Sequence, residues 1–272
     1  MTKKTLKKIS ICAFIVGMPL LVSAQTFQFS DREKLSYVAS YSLGFIYTEV
    51  GDVTIQLEEL AALGQYRVRG NGKTRKFYDK VFRVRDYYET RFEVAPFRSL
   101  FFHRNIDEGG YRMKNTYHFN WADKTVRGQM QQRQDSVKPY YLAMKNGRNY
   151  SDVFTCFYNF RNQNFTNIQN GKTFSFYFIL DNEFYSIQCV YIGKEVRRNK
   201  KLDAKINCLK FSFEVVAGEV FTGKEKITVW ISDDDNHVPV EFEFPIRIGR
   251  MRAYLQSYEN LQCPLNILET QK

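Results

Sequence analysis

Residues 83–134 read RVRDYYETRFEVAPFRSLFFHRNIDEGGYRMKNTYHFNWADKTVRGQMQQRQ, and their alternation decides the fold class. Charged or polar residues trade places with aromatic and aliphatic ones at about every second position, the period of strands wet on one face and packed on the other. Gly109-Gly110 and the Ala122-Asp123-Lys124 corner punctuate the run, so it reads as a meander of consecutive antiparallel strands.

Toward the N-terminus, KLSYVASYSLGFIY (34–47) and VTIQLEEL (53–60) predict an opening hairpin around a Gly51-Asp52 turn. Residues 66–69 predict another short strand, and the aromatics and Val81 at helical spacing over 74–82 predict a short connecting helix. Toward the C-terminus, SDVFTCFYNFRN (151–162) predicts a helix capped by Ser151 or Asp152. Strand patterns resume over 173–180, 183–192, 207–216, 226–231, 238–248 and 251–258, with turns at Asp181-Asn182, Arg198-Asn199, 233–236 and Gly249. The 24 Phe and 18 Tyr against 15 Gly favour strands lined with aromatics. The expected architecture is mainly β: a long curved antiparallel sheet or open β-barrel, with one helix packed between its two halves. No repeat or linker divides it, so residues 25–272 are expected to form a single β-rich domain.

The first 24 residues have the order of a secretory signal peptide: Lys3, Lys4, Lys7 and Lys8, an apolar stretch over 9–21, then Val22-Ser23-Ala24. Cleavage after Ala24 and export to the periplasm of a Gram-negative bacterium are the expectation. Gln25 stands where a lipoprotein needs cysteine, and no small residue directly precedes Cys12, so lipid anchoring is the minority reading. Losing the four leader lysines lowers the formal charge from +11 to +7. Arg197, Arg198, Lys200 and Lys201 are the densest basic group; acidic glycans or lipid headgroups could meet them, but a solvated hairpin tip is the commoner case. An exported protein is a poor partner for nucleic acid or nucleotide.

Cys156, Cys189, Cys208 and Cys263 permit three pairings and lack zinc-site spacing. Cys189 and Cys208 lie equally far from a tip between Arg198 and Asn199, which predicts a cross-strand disulfide if that register holds. Buried free thiols are at least as common in a chain of this size.

RDYYETRFE and FFHRNIDEGGY, DVFTCFYNFR, and FTGKEKITVWISDDDNHVPVEFEFPIRIGRMRAYL (221–255) resemble an exported bacterial family catalogued as domain of unknown function 3108. The last segment is the most specific, with its tryptophan, Ser-Asp-Asp turn, Val-Pro and Ile-Gly in family order. The resemblance covers most of residues 25–272 and implies an exported, mostly antiparallel β protein without an agreed activity. The broad shape is also similar to open-barrel carriers of lipids and lipoproteins in bacterial envelopes, an analogy of fold alone.

Motifs for catalysis are thin. Gly218-Glu-Val-Phe-Thr-Gly223-Lys224 has phosphate-loop spacing, but Glu225 replaces the magnesium hydroxyl and a strand follows in place of a helix, so nucleotide binding is rejected. Asp233-Asp234-Asp235-Asn236 concentrates carboxylates, yet it lacks the calcium-loop order and reads as a hairpin turn, with His237 a lone exposed ligand at best. Neither a metal site nor a cofactor is expected. The other histidines, His103 and His118, are too scattered to propose a triad. Asp107 with Glu108 has the residue types of glycoside chemistry but reads as a solvated turn beside Gly109-Gly110. Asp135-Ser136-Val137 fits a bacterial O-glycosylation triplet, with a plain loop favoured over a sugar on Ser136.

The remaining candidate site is the predicted helix. Phe154, Phe157, Tyr158 and Arg161 share a face and suit an acyl chain with an acidic headgroup if the sheet curves around them. Against this stands a filled core with Arg161 paired to a carboxylate, the commoner fate of an aromatic stripe. The expected function is non-catalytic binding of a lipid or other amphipathic envelope ligand, or of an envelope protein. A hydrolase acting on envelope glycans or lipids is the alternative.

Overall fold

The computed structural model describes residues 29–145, 147–214, 226–246 and 248–270. The expected leader and cleavage site, Cys12 and the Gly218–Glu225 motif lie outside the described residues. Eight strands open the chain: β1 (Lys34–Leu43), β2 (Ile46–Leu60), β3 (Gln65–Thr74), β4 (Arg85–Glu93), β5 (Ser99–Glu108), β6 (Tyr111–Asn120), β7 (Thr125–Gln132) and β8 (Lys138–Ala143). Helix α1 (Val153–Arg161) follows. Then come β9 (Thr173–Leu180), β10 (Glu183–Asn199), β11 (Ala204–Glu214), β12 (Lys226–Ser232), β13 (Pro239–Pro245), β14 (Arg250–Glu259) and β15 (Ile267–Thr270).

Fourteen strands form one antiparallel sheet in the order β8-β7-β6-β5-β4-β3-β2-β1-β14-β13-β12-β11-β10-β9, with β15 added on β11. Pairing of β1 with β14 joins the two halves, and β8 never pairs with β9, so the barrel stays open. Side chains bridge the gap instead. Arg104 on β5 pairs with Asp181 in the β9–β10 turn, and Ile179 shares a buried cluster with Phe102 and Tyr117. Ser151 makes a parallel bridge to β9, donating its N–H to Tyr177 O (2.9 Å) and accepting from Ile179 N (2.9 Å). The expected long, curved, unclosed sheet with one helix is therefore the observed fold.

Alternating hairpins define two ends. The turns β1–β2, β3–β4, β5–β6, β7–β8, β9–β10 and β13–β14 lie at one, and α1 with β2–β3, β4–β5, β6–β7 and β12–β13 at the other, while the β10–β11 turn reaches back to β2, where Lys201 pairs with Glu49. Asp152 caps α1: Oδ1 accepts from Phe154 N (2.9 Å) and Thr155 N (3.0 Å), and Oδ2 from the hydroxyls of Thr90, Ser99 and Thr155. This ties the first helical turn to β4 and β5.

Three local expectations change. The first turn is at Gly44-Phe45, and Gly51 lies within β2 beside a bulge, small because a Cβ there would stand 2.7 Å from Lys73 O. Over 74–82 only Tyr78–Lys80 form a single 3-10 turn, because Phe77 and Val81 are 75% and 82% exposed and a helix would have nothing to pack against. The β10–β11 turn falls at 200–203, where Asn199 Oδ1 accepts from Lys201 N and Leu202 N (2.8 and 3.0 Å).

Candidate functional site

That later turn, with a bulge between Tyr191 and Gly193, resets the register. Cys189 faces Phe213 and Cys208 faces Glu195, which puts the two cysteines on opposite faces of the sheet. The disulfide expected between them does not form. Both are free buried thiols, and burial pushes Cys208 up to about 12. Cys156, on α1, is likewise pushed up to about 12 by burial, so it stays a protonated thiol at neutral pH.

The helix face is packed, which corrects its reading as a cavity wall. Phe154 fills the space above Gly70, where a Cβ would lie 2.3 Å from its ring, and it meets the Tyr88 ring edge-on at 5.8 Å. Tyr158 and Arg161 are fully buried. Arg161 makes a two-pronged ion pair with buried Glu33 (2.7 and 2.7 Å), donates to Asn236 O, and lies over the rings of Phe29, Phe157 and Tyr158. Its charge is thus spent inside the protein: a polar tie between α1, the start of β1 and the β12–β13 turn. His237, expected to be exposed, is buried at the same end with Nδ1 2.7 Å from Arg161 O, and burial lowers its pKa.

The interior changes from the helix end to the other. On β1 the inward residues run from buried Leu35 and Tyr37 to half-buried Ala39 and Tyr41. Neighbouring strands repeat the sequence: Leu57 and Ile55 then Val53, Leu255 then Ala253 and Met251, Ile231 and Val229 then Ile227. Register puts these positions on one face, where Tyr37 pairs Val53 and Leu255, and Ala39 pairs Ala253. Residues at Ala39, Gly51, Gly72 and Ala253 are small, and a Cβ at Gly72 would meet only Asp86 Cβ, at 3.8 Å. These half-buried apolar positions on the inward face beyond the helix, with Val53 and Ala253 resting on the main buried cluster, are the candidate site.

Charge is placed at its edge. Asp86 on β4 and Glu108 on β5 lie close enough to interact, with Tyr88 and Arg104 beside them. Burial and the Glu108 carboxylate push Asp86 up to about 7, so one proton is held there near neutral pH. The acids adjacent in sequence separate: Asp107 bonds Arg83 (2.6 Å) on the outer face while Glu108 turns inward. Sequence reading missed Asp86; the signal was the every-second-residue match of Asp86 with Tyr88, Thr90 and Phe92.

Elsewhere, a groove of about 250 Å³ runs between Cys156, Asn159 and Gln163 of the helix side and Phe174, Phe176 and Tyr177 of β9. Another of about 360 Å³ lies by Lys194, Asp233, Asp234 and His237. Asp234 there caps its own turn, accepting from Ser232 Oγ, Asn236 N and Asn266 N, as the turn reading requires. Among the described residues no three His, Cys, Asp or Glu side chains are grouped to hold a metal ion. His103 Nδ1 lies 3.1 Å from Thr116 Oγ1 on β5 and β6, and His118 on β6 meets the Phe101 ring at a tilt, whereas His237 lies in the β12–β13 turn. Ser136 is exposed between β7 and β8.

Fold and interior together define an unclosed β-barrel-like protein, plugged at one end by a short helix. The chain belongs to the family described as Protein of unknown function (DUF3108), which matches over residues 36–256. Its fold is similar to that of a beta-barrel-like protein of the domain of unknown function DUF1849 from Brucella abortus. The TM-score is 0.57 at 7% identity, over 88% of this chain and 100% of that one. No curated protein matches the chain.

Proposed function

We propose that this protein is a non-catalytic binder of an amphipathic molecule, whose apolar part enters the open mouth and whose polar part stays at the Asp86–Glu108–Arg104 edge. The observation that carries this is the gradient on the inward face, from buried side chains beside α1 to half-buried apolar ones beyond it. Natural interiors are close-packed, so apolar side chains left half-wetted on a concave face are a cost that an apolar ligand would remove. The leader supports a bacterial envelope as the place of action, and lipids are the abundant amphipathic molecules there.

A second reading is a hydrolase acting on envelope glycans or lipids. Asp86 supports it, because a carboxyl holding its proton near pH 7 beside another acid has the makings of a general acid and base.

The test is native mass spectrometry of protein purified from its own envelope, followed by organic extraction. A reproducible lipid-sized adduct, absent from a Gly72→Leu variant of unchanged fold, is the expected result. A bare protein mass in both would sink the binder. Turnover of envelope lipid or glycan that stops in Asp86→Asn would replace it with the hydrolase.

A further inference from the structure

The large apolar side chains that this fold exposes are not scattered over its surface. Among the described residues fourteen are exposed; nine sit on strand tips and turns at the open end, while Leu63 alone marks the turns at the helix end. Phe45, at the β1–β2 turn, is 99% exposed, with Ile46 beside it. The β3–β4 loop adds Phe77, Val81 and Phe82, and the β13–β14 turn adds Ile248.

These tips form one rim. Their strands are consecutive in the sheet, β4-β3-β2-β1-β14-β13. Arg75 N donates to Val50 O (2.9 Å) and Tyr78 OH bonds Thr48 Oγ1, joining the second loop to the first. Tyr41 OH donates to Ile248 O (3.2 Å), joining the third. The loops are held in place by pairs beneath them: Arg85 with Asp79, Arg75 with Glu49 and Asp52.

On the β3–β4 loop the charge left unpaired has one sign. Lys73, Lys76 and Lys80 are exposed and have no ion-pair partner among the described residues, whereas Asp79 is neutralised by Arg85. Aromatic and aliphatic tips interleaved with unpaired lysines suit the boundary between water and the acyl region of an anionic bilayer, where the rings insert and the ammonium groups meet headgroup phosphates.

We infer that the open end is a membrane-docking rim that seats the mouth on an anionic phospholipid surface. This rests on the binder reading for its purpose, since seating would let an amphipathic molecule pass between bilayer and mouth without crossing water. It rests on separate residues for its evidence.

The test is co-sedimentation of the full-length mature protein with vesicles of phosphatidylcholine and phosphatidylglycerol, roughly three to one. Binding is expected to these vesicles and to be much weaker to phosphatidylcholine alone or at about 0.5 M salt, where charges are screened within a few ångströms. Phe45→Ser with Phe77→Ser should lower partitioning by about tenfold or more. Lys76→Glu with Lys80→Glu, which touches no packed residue, should lower it by a similar factor. Unchanged melting temperatures exclude misfolding as the cause.

No association with anionic vesicles, or association that both double variants retain, overturns the rim. So does association of the rim with copies of this chain or another protein, lost in the variants while vesicle binding persists. Ligand carriage is read separately: variants that keep an extracted adduct but leave the vesicles support the rim and the binder. Vesicle binding by a protein that never carries an adduct supports the rim and removes the binder.

Discussion

The two ends of this barrel are built from the same strands and end up with opposite surfaces. At the helix end the inward side chains are buried and charge is enclosed as Arg161–Glu33. At the open end inward side chains are half-buried, burial and the nearby Glu108 carboxylate raise the pKa of Asp86, and the tips expose Phe45, Phe77 and Val81. One short helix makes the difference: nine residues fill one end of a curved sheet and leave the other unfilled. Packing is concentrated where the helix is, and the proposed binding site lies where it is not.

The largest expected effect tests the packed end. Arg161→Leu leaves Glu33 buried without its partner and should cost about 3–5 kcal/mol, read as a drop in denaturant midpoint. Pairing it with Glu33→Leu should recover much of the loss, because the isolated charge goes with it. If the single variant is as stable as the parent, the helix end is not the stabilised one.

Two glycines on β3, two residues apart on the same face, sharpen the boundary. Gly70→Ala forces its Cβ into the Phe154 ring and should cost about 1–3 kcal/mol, with Phe154→Leu relieving it. Gly72→Leu points into the open mouth and should change stability by no more than about 0.5 kcal/mol while abolishing ligand carriage. Equal melting shifts for the two would place the end of the packed region elsewhere.

The smallest effect is a pH dependence at the mouth. Asp86 holds its proton more tightly folded than unfolded, so the folded state gains stability from it at low pH and loses that gain as pH rises from about 4 to about 7. Asp86→Asn should therefore be more stable than the parent at pH 8 and no more stable at pH 4. Solvent at the mouth keeps the difference below about 1 kcal/mol. A parent whose melting temperature rises through that pH window relative to the variant would reverse the assignment of Asp86.

Much of the fold was legible because its signals are local. The hairpins at Gly109-Gly110 and Asp181-Asn182, the turn at 233–236 and the helix capped at Asp152 follow from alternation, turn residues and capping over a few positions. Readings that needed a count across distance went astray. The cysteine pairing assumed a tip at 198–199, and a displaced turn with one bulge put Cys189 and Cys208 on opposite faces. The turn placed at Gly51 lies several residues earlier because a glycine admitted for a close carbonyl looks, in sequence, like a glycine admitted for a turn. The helix over 74–82 mistook apolar spacing for a buried face, when those side chains are displayed on a rim.

The candidate site was legible only in kind. Phe154, Phe157, Tyr158 and Arg161 were recognisable as an aromatic face ending in a cation, but whether such a face lines a cavity or fills a core depends on what the sheet brings to it. Here it brings Glu33, more than a hundred residues away in the chain. The sequence alone determined that this is an antiparallel β protein with one helix, since side-chain period and turn chemistry act between neighbours. Only the tertiary structure decided that the sheet stays open, that Asp86 and not Asp107 meets Glu108, and that exposed rings gather at one end, because strand register and curvature sum small local twists over the whole chain.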